Sequence, residues 1–142
     1  PLPAADATLH WRGDEPDDLL EATFYTDGSV LDGPTQLLAR AGWAFVAVGH
    51  DGHVLAVASG VTPPWIRDID GAEAWAILQA LEHARPGSRF RSDSLWCIDA
   101  IHSGRRRATA AHMALARVFT RIFNAADDTP ADAFVWMPAY CT

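Results

Sequence analysis

Three carboxylates stand where their neighbours make an acid unexpected. Asp27 closes the run Ala22-Thr23-Phe24-Tyr25-Thr26 and is followed at once by Gly28 and Ser29. Asp is a poor strand residue. A tight Asp-Gly hairpin would need a second strand directly afterwards. Only Ser29-Val30-Leu31 intervenes before Asp32-Gly33-Pro34, itself a turn signal. A carboxylate at a strand end, with Gly28 admitting a ligand close to the backbone, suits a metal or phosphate site better. Glu73 has two readings. Asp70-Gly71-Ala72-Glu73 fits a capping box with Asp70 as N-cap, and a helix N-terminus favours an acid. Yet Glu73 also sits among Ala72, Ala74, Trp75 and Ala76. A carboxylate buried there needs a partner, and a cation would supply one. Asp93, in Ser92-Asp93-Ser94, falls between a strand and a helix and could equally be an N-cap. Asp99 falls within a helical pattern and is expected to face solvent.

For these side chains to act together, the elements that carry them must converge. Residues 22–27 alternate and are rich in β-formers, so they read as a strand. Residues 42–61 hold two Val-rich runs around His50-Asp51-Gly52, a hairpin signature. Residues 71–84 are nearly all good helix formers and apolar on most sides, which predicts a deeply buried helix. Arg85-Pro86-Gly87 stops it. A short strand is predicted over 88–93, helices over 95–104 and 109–124, and a last strand over 133–137 before Pro138. Three strands followed by helix–strand alternation imply a mixed sheet with helices packed on it. Residues 1–20, rich in Pro, Asp and Ala, are expected to form a flexible extension to one domain over 21–142.

Composition narrows the function classes. The chain has 142 residues, 49% hydrophobic and 20% charged, enough for a sizeable core. Its apolar stretches are too short to span a membrane, and no secretory signal is expected in the N-terminal stretch. Cys97 and Cys141 form neither a disulfide scaffold nor a metal motif. Reduced thiols and a cytoplasmic or nuclear setting are expected. The net charge of −7 disfavours a general nucleic-acid binder, but it is unevenly spread. Residues 1–32 hold eight acids and one Arg, whereas residues 85–121 hold eight Arg and two acids. That basic segment could meet a phosphate backbone or be a solvated face with ordinary ion pairs. Trp43, Trp65, Trp75 and Trp96 could include a base-stacking platform, with the core as the more ordinary destination.

FYTDGS, then AEAWAILQALE, then SDSLWCIDAI, then VWMPA resembles ribonuclease H in order and approximate spacing, from about residue 22 onward. The final stretch is similar to the Trp-x-Pro-x-His segment of retroelement members. The resemblance implies an α/β fold with a five-stranded mixed sheet, order 3-2-1-4-5, and helices on both faces. It selects Asp93 over Asp99 and implies Asp27, Glu73 and Asp93 as catalytic and metal ligands. It implies two Mg²⁺ ions, with Mn²⁺ as substitute, which in such sites lie about 3.5–4 Å apart. The implied activity is cleavage of the RNA strand of RNA–DNA hybrids. Gly28, Ser29 and Tyr140 would lie against substrate, and Arg105, Arg106 and Arg107 would grip phosphates of the DNA strand. A reverse transcriptase polymerase domain in a longer polyprotein is the implied partner. The sequence departs from the family in three places. Tyr140 stands at the His position, Ile69-Asp70-Gly71 replace amide side chains before the helix Glu, and the family's fourth carboxylate would fall beyond Thr142. The domain is therefore expected to be truncated at its C-terminus. The departures also define a rival, a catalytically impaired domain kept as a nucleic-acid- or protein-binding module. A different nuclease or a transposase-like enzyme on the same fold is a third reading.

Overall fold

Six strands pair into one mixed sheet. A computed structural model describes residues 7–31, 40–110 and 115–138. The strands are β1 (His10–Trp11), β2 (Thr23–Leu31), β3 (Arg40–Val48), β4 (Val54–Val61), β5 (Arg89–Ser92) and β6 (Phe134–Trp136). They lie in the order β1-β4-β3-β2-β5-β6. Without β1 this is the five-strand order expected above. β2, β3 and β4 are antiparallel neighbours, whereas β5 runs parallel to both β2 and β6.

β2 is longer than expected. It continues through Asp27-Gly28-Ser29, which pair with Ala44, Trp43 and Gly42 of β3. Asp27 is thus in mid-strand, not at a strand end. The nine-residue ladder overrides weak local propensity.

Side chains alternate across each strand. Phe24, Trp43, Phe45 and Phe90 point to one face and are all 3% exposed or less. Phe24 meets Phe45 edge-on at 5.4 Å and stacks on Phe90 at 5.5 Å. Burying each such ring stabilises the fold by roughly 1.5–3 kcal/mol. Helix α1 (Ile69–Glu82) crosses this face. It is buried all round from Gly71 to Leu81, because the sheet covers one side and α4 (Ala116–Ala125) the other. Between them in the chain lie α2 (Leu95–His102) and α3 (Arg105–Ala108). The later part of the helix expected over 109–124 is α4, with α3 ahead of it, and residues 111–114 lie outside the described residues.

Helices were expected on both faces. α1 covers the face that carries Phe24 and Phe45. The other face presents Tyr25, Asp27 and Ser29 exposed, with Ala44, Val46 and Arg91 partly exposed.

The extension expected to be flexible is tied down from residue 7. Thr8 exchanges hydrogen bonds with Val61, its N–H to the Val61 carbonyl at 3.1 Å and its Oγ1 accepting from the Val61 N–H at 3.0 Å. Its carbonyl also accepts from the Trp43 indole at 3.2 Å. Trp11 packs edge-on against Phe45 and His83. The segment supplies β1, which covers part of the free edge of β4. Two residues carry no periodicity to read, so the sequence left this strand unseen.

α1 approaches β2 most closely at Gly28. A Cβ there would lie 2.6 Å from the Ala72 carbonyl carbon and closer still to the Glu73 nitrogen. Both are backbone atoms, so the helix itself would have to move. Gly28→Ala is expected to cost about 1–3 kcal/mol, read from urea unfolding. Gly42→Ala, whose Cβ would meet the Ser29 hydroxyl at 3.1 Å, should cost clearly less. Equal costs would show that the crossing at Gly28 is not tight.

Candidate metal centre

The parallel pairing of β2 with β5 sets Thr26 opposite Ser92. The residues that follow, Asp27 and Asp93, therefore emerge side by side. Glu73 comes from the other direction, out of the second turn of α1 where that helix crosses Gly28. One carboxylate oxygen from each of the three lies within 4.8 Å of the others. Asp27 is exposed, Asp93 partly so, and Glu73 only 3% exposed.

The competing structural roles are taken by other residues. Asp68 caps α1, its side chain accepting from the Gly71 N–H at 2.8 Å. Glu73 is thus the fifth residue of the helix, too far along for the capping box expected with Asp70. Ser94 caps α2 by accepting from the Cys97 N–H at 3.2 Å, which leaves the Asp93 side chain uncommitted. Asp99 is exposed on α2, as expected.

Electrostatics mark Glu73 as uncompensated. Burial is the main cause that pushes its pKa from 4.5 up to about 9, and the charges of Asp93 and Asp27 add to it. The Gly28 N–H opposes the rise, and the Ser92 hydroxyl, 2% exposed, donates to Oε2 at 3.5 Å. Asp27 is also raised, first by burial and then by Asp93. The ion pairs among the described residues join His53 to Asp51, Arg85 to Asp18 and Arg121 to Glu82, none of them at this cluster. Three clustered acids with no counter-charge fit hard divalent cations, which take oxygen ligands.

Two residues missed by sequence reasoning shape the centre. The Trp136 indole donates to the Asp93 carbonyl at 3.2 Å, and the Met137 N–H donates to the Ser92 carbonyl at 2.8 Å. β6 thereby holds the backbone that carries Asp93. Ser92 also accepts from the Ser94 N–H at 3.1 Å. The signals were present in the SDS and VWMPA stretches, but nothing local distinguishes such holding roles.

Two grooves meet at Asp27. One, of about 690 Å³, runs between Tyr25, Val46, Arg91 and Met137. The other, of about 380 Å³, is walled by small residues, among them Ser29, Gly42, Ser59 and Gly60. Ser29 faces the second groove. Gly28, expected to touch a ligand, instead faces α1 and carries the helix crossing. Arg105, Arg106 and Arg107 are not brought to the carboxylates. They lie past the far end of α2, a helix roughly 12 Å long by its rise per residue. Arg105 donates to the Asn124 side chain at 2.6 Å, while Arg106 and Arg107 are exposed. Tyr140 and Cys141 lie outside the described residues. Cys97 is buried and its thiol is pushed up to about 12 by burial, which makes it inert. No described helix is long and apolar enough to cross a membrane.

No protein-family model matches the sequence, and the search of curated proteins finds no match. Solved structures do match. LC11-RNase H1, solved in complex with an RNA/DNA hybrid, superposes with a TM-score of 0.61 at 20% identity, covering 84% of this chain and 87% of that one. The RNase H domain of PFV gives 0.61 at 16% identity over 84% of this chain and 79% of its own. The protease–reverse transcriptase of prototype foamy virus gives 0.64 at 16% identity over 96% of this chain. This chain spans 19% of that larger protein. The chain has the ribonuclease H fold.

The pH dependence of stability tests the electrostatics. With Glu73 raised to about 9 in the folded state, the unfolded chain releases its proton first as pH rises. Stability is then greatest below the unfolded value and declines until pH passes the folded one. In chelator, unfolding free energy should fall between about pH 5 and about pH 9. Glu73→Gln should flatten that decline and be the more stable protein at the alkaline end. Parallel profiles for the two proteins would show that Glu73 carries no such shift.

Proposed function

We propose that this chain is a member of the ribonuclease H family and hydrolyses the RNA strand of RNA–DNA hybrids with divalent cations at Asp27, Glu73 and Asp93. The observation that supports it most is the convergence of these three side chains within 4.8 Å, from two neighbouring strands and one helix. The ribonuclease H fold shared with solved structures over 84% of this chain agrees with it. Asp27 and Asp93 would hold the cations from the strands and Glu73 from the helix. Two Mg²⁺ ions, or Mn²⁺ in their place, would neutralise the scissile phosphate and make the attacking water more acidic.

The protein's own groups do the rest. The Ser92 hydroxyl, at 3.5 Å, bears on the Glu73 carboxylate. Trp136 and Met137 hold the backbone of Ser92 and Asp93 in place. Ser29 offers a hydroxyl to the strand in the narrow groove, the kind of partner that a ribose 2′-OH takes. Arg105, Arg106 and Arg107 supply positive charge for phosphates farther along a duplex. The span of 19% of a viral protease–reverse transcriptase favours a polymerase domain as partner. Tyr140, at the position of the family's His, favours a second reading in which the same surface binds hybrid without turning it over.

Cleavage of a labelled hybrid in Mg²⁺, assayed with wild type and Asp27→Asn, separates the readings. The nuclease reading expects product from wild type and a loss of at least about 100-fold in the variant, as for removal of an essential electrostatic group. Equal cleavage by both removes Asp27 from catalysis. Binding without cleavage by either leaves the module reading. Independently, Mg²⁺ should raise the melting temperature of wild type but not of Glu73→Gln, since a ligand of the folded state stabilises it.

A further inference from the structure

Asp93 lies in the short turn between β5 and α2, and its backbone is tied from outside that turn. Its carbonyl accepts from the Trp136 indole at 3.2 Å, and the Ser92 carbonyl before it accepts from the Met137 N–H at 2.8 Å. Trp136 ends β6 and Met137 follows it. The placing of Asp93 is therefore only as firm as β6 itself. That strand has three residues, lies at the margin of the sheet and pairs with β5 alone. On the core side Phe134 stacks on Phe90 at 4.9 Å.

His102 supplies a further hold, from the last turn of α2. Its Nε2 lies 2.8 Å from the Phe134 carbonyl and 3.1 Å from the Ala131 carbonyl. Carbonyls only accept, so Nε2 carries the proton and is shared between the two. Phe134 is the first residue of β6, and Ala131 opens the 3₁₀ turn Ala131–Ala133 that leads into it. The contacts form a closed circuit. From Asp93 the chain enters α2, α2 ends on His102, His102 grips the start of β6, and the end of β6 returns to Asp93. The two closures join residues 32 and 43 positions apart in sequence.

We propose that His102 is a positioning residue for the carboxylate cluster. It seats β6 so that Trp136 and Met137 hold the Asp93 turn where Asp27 and Glu73 converge. The imidazole is exposed, so its removal leaves no cavity in the core. Its effect passes through hydrogen bonds rather than packing. Partners that orient a metal ligand from behind are typically worth about 10- to 100-fold in metal affinity. The proposal deepens the nuclease reading and rests on it for the cation that the cluster would hold.

The test compares the full chain, labelled with ¹⁵N, as wild type, His102→Ala and His102→Gln. In chelator, solvent exchange of the Trp136 indole N–H and the Met137 amide should be about 2- to 10-fold faster in His102→Ala, the net worth of one hydrogen bond. Mg²⁺ affinity, followed by cation-induced amide shifts, should fall about 10-fold. His102→Gln, whose side-chain amide also donates, should restore part of both. Thr8→Ala loses its bond to Val61 at the opposite margin of the sheet and should move neither readout. Unchanged exchange and affinity in His102→Ala overturn the proposal. Equal changes in Thr8→Ala overturn it too, since they would mark a general loss of stability. If affinity falls in His102→Ala but wild type cleaves no hybrid, the nuclease reading falls and the positioning role stands. If wild type cleaves hybrid and both readouts are unchanged in His102→Ala, the reverse holds. If wild type takes up no Mg²⁺, the nuclease reading falls and the exchange rates alone decide for or against His102.

Discussion

The fold turns on one close approach, the crossing of α1 over β2 at Gly28. No side chain fits between the strand and the helix backbone there. The contact fixes how deep α1 sits in the sheet and so how far Glu73 reaches toward the two strand carboxylates. The same backbone supplies the Gly28 N–H that opposes the rise in Glu73. Packing and charge are therefore set by one residue. A helix lifted by a methyl group would loosen the core and withdraw one of three converging acids.

That arrangement carries an electrostatic cost. A carboxylate 3% exposed, near two others and without a basic partner among the described residues, destabilises the empty protein. Natural cores avoid such groups unless something offsets them. Among the described residues no ion pair supplies that offset. Strain of this kind is common at functional sites and rare elsewhere.

Much of this was legible in the residues. The β3–β4 hairpin, the buried α1 and the position of β5 followed from alternation, turn dipeptides and helix formers. The motifs also named the three acids that the structure brings together. Other features were not legible, for physical reasons. Asp27 looked like a strand end because Asp-Gly-Ser has low strand propensity, yet nine ladder pairs with β3 outweigh it. Gly28 read as room for a ligand, when the tight neighbour is a helix distant in sequence. The capping box at Asp70 was a local match that lost to Asp68, two residues earlier. Four tryptophans of equal hydrophobicity divided between core and surface, which only tertiary packing decides. The exposed sheet face could not be foreseen either, because its alternating pattern would serve equally well under a helical cover.

The segment around β1 and the strand β6 occupy opposite margins of the sheet. Five inter-strand spacings separate them, roughly 24 Å. Residues 7 and 138 therefore lie on opposite flanks of the sheet rather than at a common corner. A tandem arrangement built on this unit would use it as a spacer, holding its neighbours apart. The acidic centre lies inboard, beside β2, and away from both flanks.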